Sequence, residues 1–373
     1  MQNNVQEMIE KNPSVKKYID IELIRSDNYN TKLEQVNFIE QGGFDHEDLS
    51  GMYTAFQNSS RYSSTRLCGW NNLLSFAFYH IQSQSELKEG VILDFLAGSG
   101  TLSKKVKQLV PNNFPTIIGL DVSKKMVERA QYYEEIVFWG SYAIHPFKNK
   151  IADVTIAAYG FHHVPLHQRE DFLFSMQKTL KKNGMCILHD FEEGSATARW
   201  YSEIIHSYRF SGHPYKHVTT SGLQQLLKPY CKKVETKHIY DPFYLEGKKG
   251  QNEQSLRREF YAYLIGLFNL RKLLPDKVDI KGLNALEDQS YWRKIDKLFS
   301  SYFTLTDNEI KLIESQPVLQ TIKKLECTTC IPVVNCLTIQ QLHNNSLCLI
   351  APRAALVGIG YKGGIDVNNF SNI

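Results

Sequence analysis

Two acids and a pair of glycines set the chemistry open to this chain of 373 residues. Val91-Ile-Leu-Asp94 is a short apolar run ending in a carboxylate. A tight loop, Phe95-Leu-Ala-Gly98-Ser-Gly100, follows it, and Leu102 to Val110 has the spacing of an amphipathic helix. Strand, glycine loop and helix form the first unit of a nucleotide-binding α/β sheet. Glycine lets the backbone approach a ligand where any Cβ would collide. Asp94, at the joint of strand and loop, is placed to accept hydrogen bonds from the ligand's polar groups. Thr116 to Asp121 is a second apolar run ending in an acid, and Ser123 can cap the next helix, Lys124 to Tyr132. In a parallel sheet this puts Asp121 beside the glycine loop, where it can take both hydroxyls of a ribose.

Two cofactor classes use such a site, dinucleotides and S-adenosylmethionine. The dinucleotide fingerprint asks for Gly-x-Gly-x-x-Gly/Ala. Here Gly98-x-Gly100 is followed by Ser103, and Asp94 has no place in that pattern. The residues therefore favour S-adenosylmethionine over a dinucleotide or an empty glycine turn.

Over about residues 89 to 245 the sequence resembles the class I S-adenosylmethionine-dependent methyltransferases, closest to the small-molecule branch of the ubiquinone and menaquinone enzymes. Asp94-Phe-Leu-Ala-Gly98-Ser-Gly100 resembles the family's Asp-x-Gly-x-Gly-x-Gly, with Leu96 in place of the first glycine. Gly119-Leu-Asp121-Val-Ser-Lys-Lys-Met126 resembles its ribose segment. Gly140-Ser141-Tyr142, followed by Pro146-Phe147, resembles the segment after the third strand, with Ser141 where an Asp is usual. The resemblance implies cofactor contacts from Asp94, Leu96, Ala97, Gly98, Gly100, Asp121, Val122, Met126, Ser141, Tyr142 and Tyr159. Asp94 would hold the amino acid part, Asp121 the ribose, and Met126 with Tyr142 the adenine. It also implies a Rossmann-like α/β fold, a seven-stranded, mostly parallel sheet with helices on both faces.

The elements that must position these residues can be placed along the chain. Residues 1–88 read as a helical, aromatic-rich lid, with a loop at Arg61 to Trp70 entering a helix over Asn71 to Gln82. Tyr53, Phe56, Tyr62 and Trp70 either line the cofactor site or pack as ordinary core. The methyltransferase-like core spans 89–249. Its fourth strand falls at Asp153 to Ala158, its fifth at Met185 to His189 and its sixth at Lys232 to Tyr240. Helices fall at Gln168 to Leu180 and Glu192 to Tyr208, and the stretch from Leu245 reads as loop. Residues 250–345 read as a largely helical insertion (Ser255 to Leu274, Asn284 to Phe303, Thr306 to Glu314) or as an accessory domain. Ser346 to Arg353 is then the last core strand, within a closing segment of 346–373.

Candidate acceptor-side residues follow the fourth and fifth strands, at the mouth of the sheet crevice. Tyr159, His162 and His163 are candidate catalytic groups, since imidazole titrates near neutral pH and can act as a general base. Phe161, Asp190, His213, His217 and Tyr62 are candidate substrate contacts. Asp190 can bind an amine, orient a histidine or cap the following helix. His206, His213 and His217 cluster in sequence, but no carboxylate or cysteine joins them at ligand spacing, so no metal is expected there. Cys327-Thr-Thr-Cys330 is a single pair, short of a zinc signature.

Composition narrows the partners. The net charge of +4, with mixed signs, is too mild to argue for nucleic acid. No signal-like leader or membrane-length apolar run is visible, and seven scattered cysteines suit a reduced interior. The expectation is a cytoplasmic methyltransferase acting on a small-molecule substrate by SN2 transfer, without nucleic acid or membrane, with room for a homodimer. Three other readings stay open: an enzyme that consumes the cofactor without methylating, releasing methylthioadenosine; a protein- or RNA-directed methyltransferase; and a non-catalytic cofactor-binding subunit.

Overall fold

The computed structural model describes residues 8–26, 29, 31, 47–280, 282–315 and 331–363. Five strands run parallel: β1 (Val91–Asp94), β2 (Thr116–Asp121), β3 (Val137–Trp139), β4 (Ala152–Ala158) and β5 (Leu180–Asp190). After β6 (Lys233–Tyr240) the chain leaves the sheet. Among the described residues it forms β7 (Phe243–Glu246), three α-helices, β8 (Thr338–Gln341) and β9 (Leu347–Ala351), then returns as β10 (Ala354–Tyr361). The large sheet has the order β3-β2-β1-β4-β5-β10-β6, and β7-β9-β8 form a second, antiparallel sheet. β10 lies antiparallel between β5 and β6. This is the seven-stranded, mostly parallel Rossmann-like sheet expected from the sequence.

The period-two alternation of the strands sorts their side chains onto two faces. Ile92, Val154, Ile156, Met185 and Ile187 face one apolar cluster, while Leu93, Ala157, Cys186 and Leu188 face the other. The first face is covered by the helix Leu67–Gln82. Its Trp70, Leu73, Leu74, Ala77, Phe78 and Ile81 recur at helical spacing and are all buried. The helix Glu253–Leu267 extends the same cluster through Leu256, Phe260, Tyr263 and Leu264. Each fully buried side chain of this size contributes about 1.5–3 kcal/mol. The described residues of the segment 241–353 thus share their core with the sheet.

Several element boundaries differ from the sequence reading. The run placed as the last core strand, Ser346 to Arg353, belongs to the small sheet, and the core strand is β10. β10 carries Gly358 and Gly360 on one face, which dilutes its apolar signal while letting the helix Thr220–Leu227 pack close. Phe243–Glu246, expected to lead into a loop, is β7. The helix expected from Glu192 starts only at Ala196, because Glu192 bonds outward to Thr220 and His238 and Ser195 caps the helix. The helix expected to reach Leu274 ends at Leu267, where Asn269 turns the chain with φ 53°. Cys327 and Cys330 lie outside the described residues. Among the described residues, no helix is long and apolar enough to cross a membrane.

The two crossings between the sheets are tied together. Arg353 donates from Nη2 to Asp241 Oδ2 at 2.7 Å and from Nε to the Asp241 carbonyl at 2.9 Å. Both side chains are buried. Gly69 allows this pair to lie under the N-terminal helix, since a Cβ there would collide with Asp241 Oδ1. Breaking a buried pair leaves an uncompensated charge, so Arg353→Met should destabilise the fold by about 3–5 kcal/mol. Chemical denaturation checks this; a loss under about 1 kcal/mol would contradict the assigned role.

Candidate functional site

The glycine loop is held by the acid of the neighbouring strand. Gly98 N–H donates to Asp121 Oδ2 at 2.7 Å, and Ser123 N–H donates to Asp121 Oδ1 at 2.9 Å. Ser123 in turn caps the helix Lys124–Tyr132 by accepting from Met126 N–H at 3.2 Å. Gly98 sits in the left-handed region at φ 53°, and a Cβ on it would come within 3.2 Å of Met126 Cε. Gly100 follows as the N-cap of the helix Thr101–Leu109, and packs on Glu135 rather than on the pocket. Asp94 is buried at the end of β1, where its Oδ1 accepts from Leu96 N–H at 3.2 Å. Burial, with the nearby Asp121 adding to it, pushes the Asp94 carboxyl up to about 7.

A pocket opens above this loop, and most of the cofactor candidates line it. Asp94, Leu96, Ala97 and Gly98 form its floor with Asp121, Val122 and Met126. Ser141, Tyr142, Tyr159 and His163 close one side. Leu96, standing where a glycine is usual, turns its side chain toward Gly160. Ser141 Oγ accepts from Ala143 N–H and Ile144 N–H, so it fixes its own turn. The N-terminal segment supplies the roof. Tyr53, Gln57, Arg66 and Trp70 all face the pocket, and Gln57 accepts from Thr101 Oγ1 at 2.6 Å. Lys104 Nζ donates to Asn58 Oδ1 at 2.7 Å, a second tie between roof and floor. Phe56 and Tyr62 instead pack with Tyr263 behind the roof.

Tyr159 joins the pocket to the buried Asp241–Arg353 pair. It holds φ 61°, a conformation uncommon for a bulky residue, directly after β4. Its hydroxyl donates to Asp241 Oδ1 at 3.0 Å, and its ring lies 4.7 Å from Trp70 and 4.0 Å from His189. The guanidinium of Arg66 stacks 3.9 Å above the same ring. Arg66 is 8% exposed, and its Nε has no hydrogen-bond partner among the described residues. Asp241 is already committed to Arg353 and Tyr159. No motif marks Arg66; its only sequence signal is an arginine inside an aromatic stretch that the fold carries over the cofactor loop.

The histidines separate into one at the pocket wall and others behind it. His163 lines the pocket, whereas His162 is turned inward. Asp190 Oδ1 pairs with His162 Nδ1 at 2.9 Å and with His217 Nδ1 at 3.0 Å, and its Oδ2 accepts from His162 N–H at 2.6 Å. Burial alone would raise Asp190, yet the two imidazoles hold it well below the ordinary carboxylate range. Asp190 therefore orients histidines and does not cap the following helix. His213 packs 5.0 Å from His162 and 5.2 Å from His163, ring to ring. Phe161 points to the opposite face of the sheet, against Phe172. Of the expected acceptor-side groups, Tyr159 and His163 reach the pocket wall; His162, Phe161, Asp190, His213, His217 and Tyr62 do not.

Residues 92–184 match the family model of the methyltransferase domain. The chain carries a methyltransferase domain. This domain is that of an S-adenosylmethionine-dependent methyltransferase, with S-adenosylmethionine as its cofactor. No curated protein matches the sequence. Among solved structures, the chain is similar to the plantazolicin methyltransferase BpumL in complex with a monoazolic desmethylPZN analog and S-adenosylhomocysteine, at 14% identity. That match covers 90% of this chain and 99% of the other, with a TM-score of 0.45. It is also similar to Haemonchus contortus phosphoethanolamine N-methyltransferase 2, at 12% identity over 84% of this chain and 60% of that one, with a TM-score of 0.40. The YcgJ protein of Bacillus subtilis is 16% identical over 78% of this chain and 99% of its own, with a TM-score of 0.38.

The pocket fits its cofactor by its own features. A left-handed glycine leaves backbone exposed, paired acids stand beside it, and a buried cation has no hydrogen-bonded partner at Nε among the described residues. The electrostatics give a test that needs no ligand. An unfolded aspartate titrates near about 3.9, and burial raises Asp94 to about 7. The folded state thus holds this proton more tightly, so the group's stabilisation is full below about pH 4 and lost as pH rises through about 7. Asp94→Asn stays neutral. Its melting temperature should gain on that of the wild type between about pH 4 and 7, and parallel curves would contradict the raised value.

Proposed function

We propose that the enzyme transfers the methyl group of S-adenosylmethionine to a small molecule held between the glycine loop and the N-terminal roof. The observation that carries this reading is the roof that Tyr53, Gln57, Arg66 and Trp70 form over the pocket. The roof is bonded down at Gln57 and Asn58, and Arg61 ties it to Glu259 of the insertion through two bonds of 2.6 and 3.1 Å. A macromolecular acceptor would need an open face here, and a small planar or apolar one does not.

In this reading Asp94, once ionised, receives the cofactor's ammonium. Asp121 accepts from the ribose hydroxyls while keeping its two backbone donors, since each carboxylate oxygen has more than one acceptor site. Met126 and Tyr142 bound the adenine. The bound cofactor supplies a sulfonium methyl, already a strong electrophile, for in-line SN2 displacement by the acceptor. The residues mainly align the acceptor and exclude water, a contribution of about 7–11 kcal/mol in well-oriented reactions. Tyr159, fixed by Asp241 and Arg66, forms a rigid wall beside the reacting atoms. His163 is held well below its ordinary pKa by burial and then by His162 and His213. It stays neutral and serves as a hydrogen-bond partner for an acceptor hydroxyl or amine. Arg66 takes an anionic group brought by one of the two ligands.

The reaction is tested by incubating the enzyme and labelled cofactor with a cell extract split by ultrafiltration. Methyl label should pass into the low-mass fraction with S-adenosylhomocysteine as coproduct; label fixed in protein or RNA, or release of methylthioadenosine, would overturn the reading. The Arg66 role is tested separately. Arg66→Met should lower turnover at least about tenfold, the scale of a lost charge-assisted bond. A parallel fall in S-adenosylhomocysteine affinity assigns the anion to the cofactor, and unchanged affinity assigns it to the acceptor; unchanged turnover removes Arg66 from the site. Asp121→Ala should weaken S-adenosylhomocysteine by about 1–3 kcal/mol in calorimetry, and equal affinity would end its ribose role.

A further inference from the structure

Behind the pocket wall lies a buried set of imidazoles, of which His163 alone also reaches the pocket. His162 and His163 come from the turn after β4, and His213 from the loop between the helix at 196–208 and Thr220–Leu227. One ligand atom from each of these three residues lies within 4.8 Å of the others. Nε2 of His162 and both ring nitrogens of His213 are buried without a hydrogen-bond partner among the described residues, as is Nε2 of His217. So many buried imidazole nitrogens without a partner in one cluster are costly unless something binds them.

We infer that His162, His163 and His213 form a binding site for a divalent transition-metal ion of the zinc class. The arrangement around His162 is the one that metal-ligating histidines show: its Nδ1 is tied to the Asp190 carboxylate, which fixes the tautomer and turns Nε2 outward as a lone pair. Asp190 holds His217 in the same way. The carboxylate is itself fixed by the N–H groups of His162 and Phe191, so it is built to orient rather than to ligate. All-imidazole donors suit zinc, nickel, cobalt or copper rather than magnesium or calcium. Tetrahedral coordination at about 2.0–2.1 Å sets ligand nitrogens about 3.3 Å apart. From separations within 4.8 Å the rings close by at most about 1.5 Å on binding, within reach of χ rotation and of the loop that carries His213. Neutral imidazole is the ligating form. The sequence hides this site, because His162 and His163 precede β5 while His213 follows the next helix.

The test uses the full-length protein, stripped with chelator and titrated with zinc against a competing indicator. In parallel, cobalt(II) serves as a spectroscopic probe. One equivalent of either ion should bind, with cobalt bands of tetrahedral intensity. His162→Gln and His213→Ala should each weaken zinc by at least about 100-fold, and Asp190→Asn about 10–100-fold, as loss of an orienting carboxylate does. His343→Ala, an exposed histidine away from the cluster, should bind as the wild type does. Circular dichroism checks that each variant is folded. Should His213→Ala unfold, the wild-type cobalt spectrum decides alone. Absence of stoichiometric binding in the wild type, cobalt bands of octahedral weakness, or affinity that survives both His162→Gln and His213→Ala would overturn the site.

Discussion

The carboxylate of Asp241 and the guanidinium of Arg353 hold the place where the large sheet passes its chain to the small one. β6 ends and β10 begins at this pair, so the chain leaves the large sheet and returns to it at one point. A buried ion pair is a weak source of net stability. Its value here is positional. It fixes the register of β10 against β6, and β10 in turn fixes β5, whose end carries Asp190.

The same carboxylate reaches into the cofactor pocket. Asp241 Oδ1 accepts from the Tyr159 hydroxyl, and Tyr159 holds a left-handed backbone immediately after β4. Such a conformation costs of order 1–3 kcal/mol and persists only where its surroundings over-determine it. Here they do: Asp241 bonds the hydroxyl, Trp70 and His189 pack on the ring, and Arg66 stacks on it. The strained residue orients the segment 160–163, so that His163 faces the pocket while His162 turns back to Asp190. One constraint thus sorts two adjacent histidines into different environments.

Local parts of this arrangement are legible in the sequence, and long-range ones are concealed. β1, β2 and the glycine loop are short apolar runs ended by an acid, and their period, caps and glycines act within a dozen residues. Asp94, Gly98, Asp121, Met126 and Tyr142 can therefore be picked out from spacing and motif, and each lines the pocket. Arg66 cannot, because its role depends on a helix folding back over a loop some thirty residues later in the chain. The identity of the last core strand is equally hidden. Leu347–Ala351 is the more apolar run, but β10 gains its place through Gly358 and Gly360, which admit Leu223 and Leu227. The sequence leaves Asp190 open among three roles, because the partners that settle it come from the turn after β4 and from the loop after the next helix.

Charge gives the pocket its selectivity. Asp94 and Asp121 put two carboxyls on one side of a low-dielectric chamber, and their mutual repulsion adds to burial in keeping Asp94 protonated near neutral pH. Arg66 stands on the roof with an Nε that no group among the described residues bonds. A neutral ligand offers no cation to the acids and no anion to the roof. A ligand carrying cationic groups toward the acids and an anion toward the roof relieves each of them, and strengthens each contact because water is excluded. S-adenosylmethionine, with a sulfonium, an ammonium and a carboxylate on one short chain, has that distribution. Methyl transfer removes the sulfonium charge and leaves the other two. The product is therefore less well matched than the substrate to a chamber built around paired acids, and charge alone favours its release over its retention.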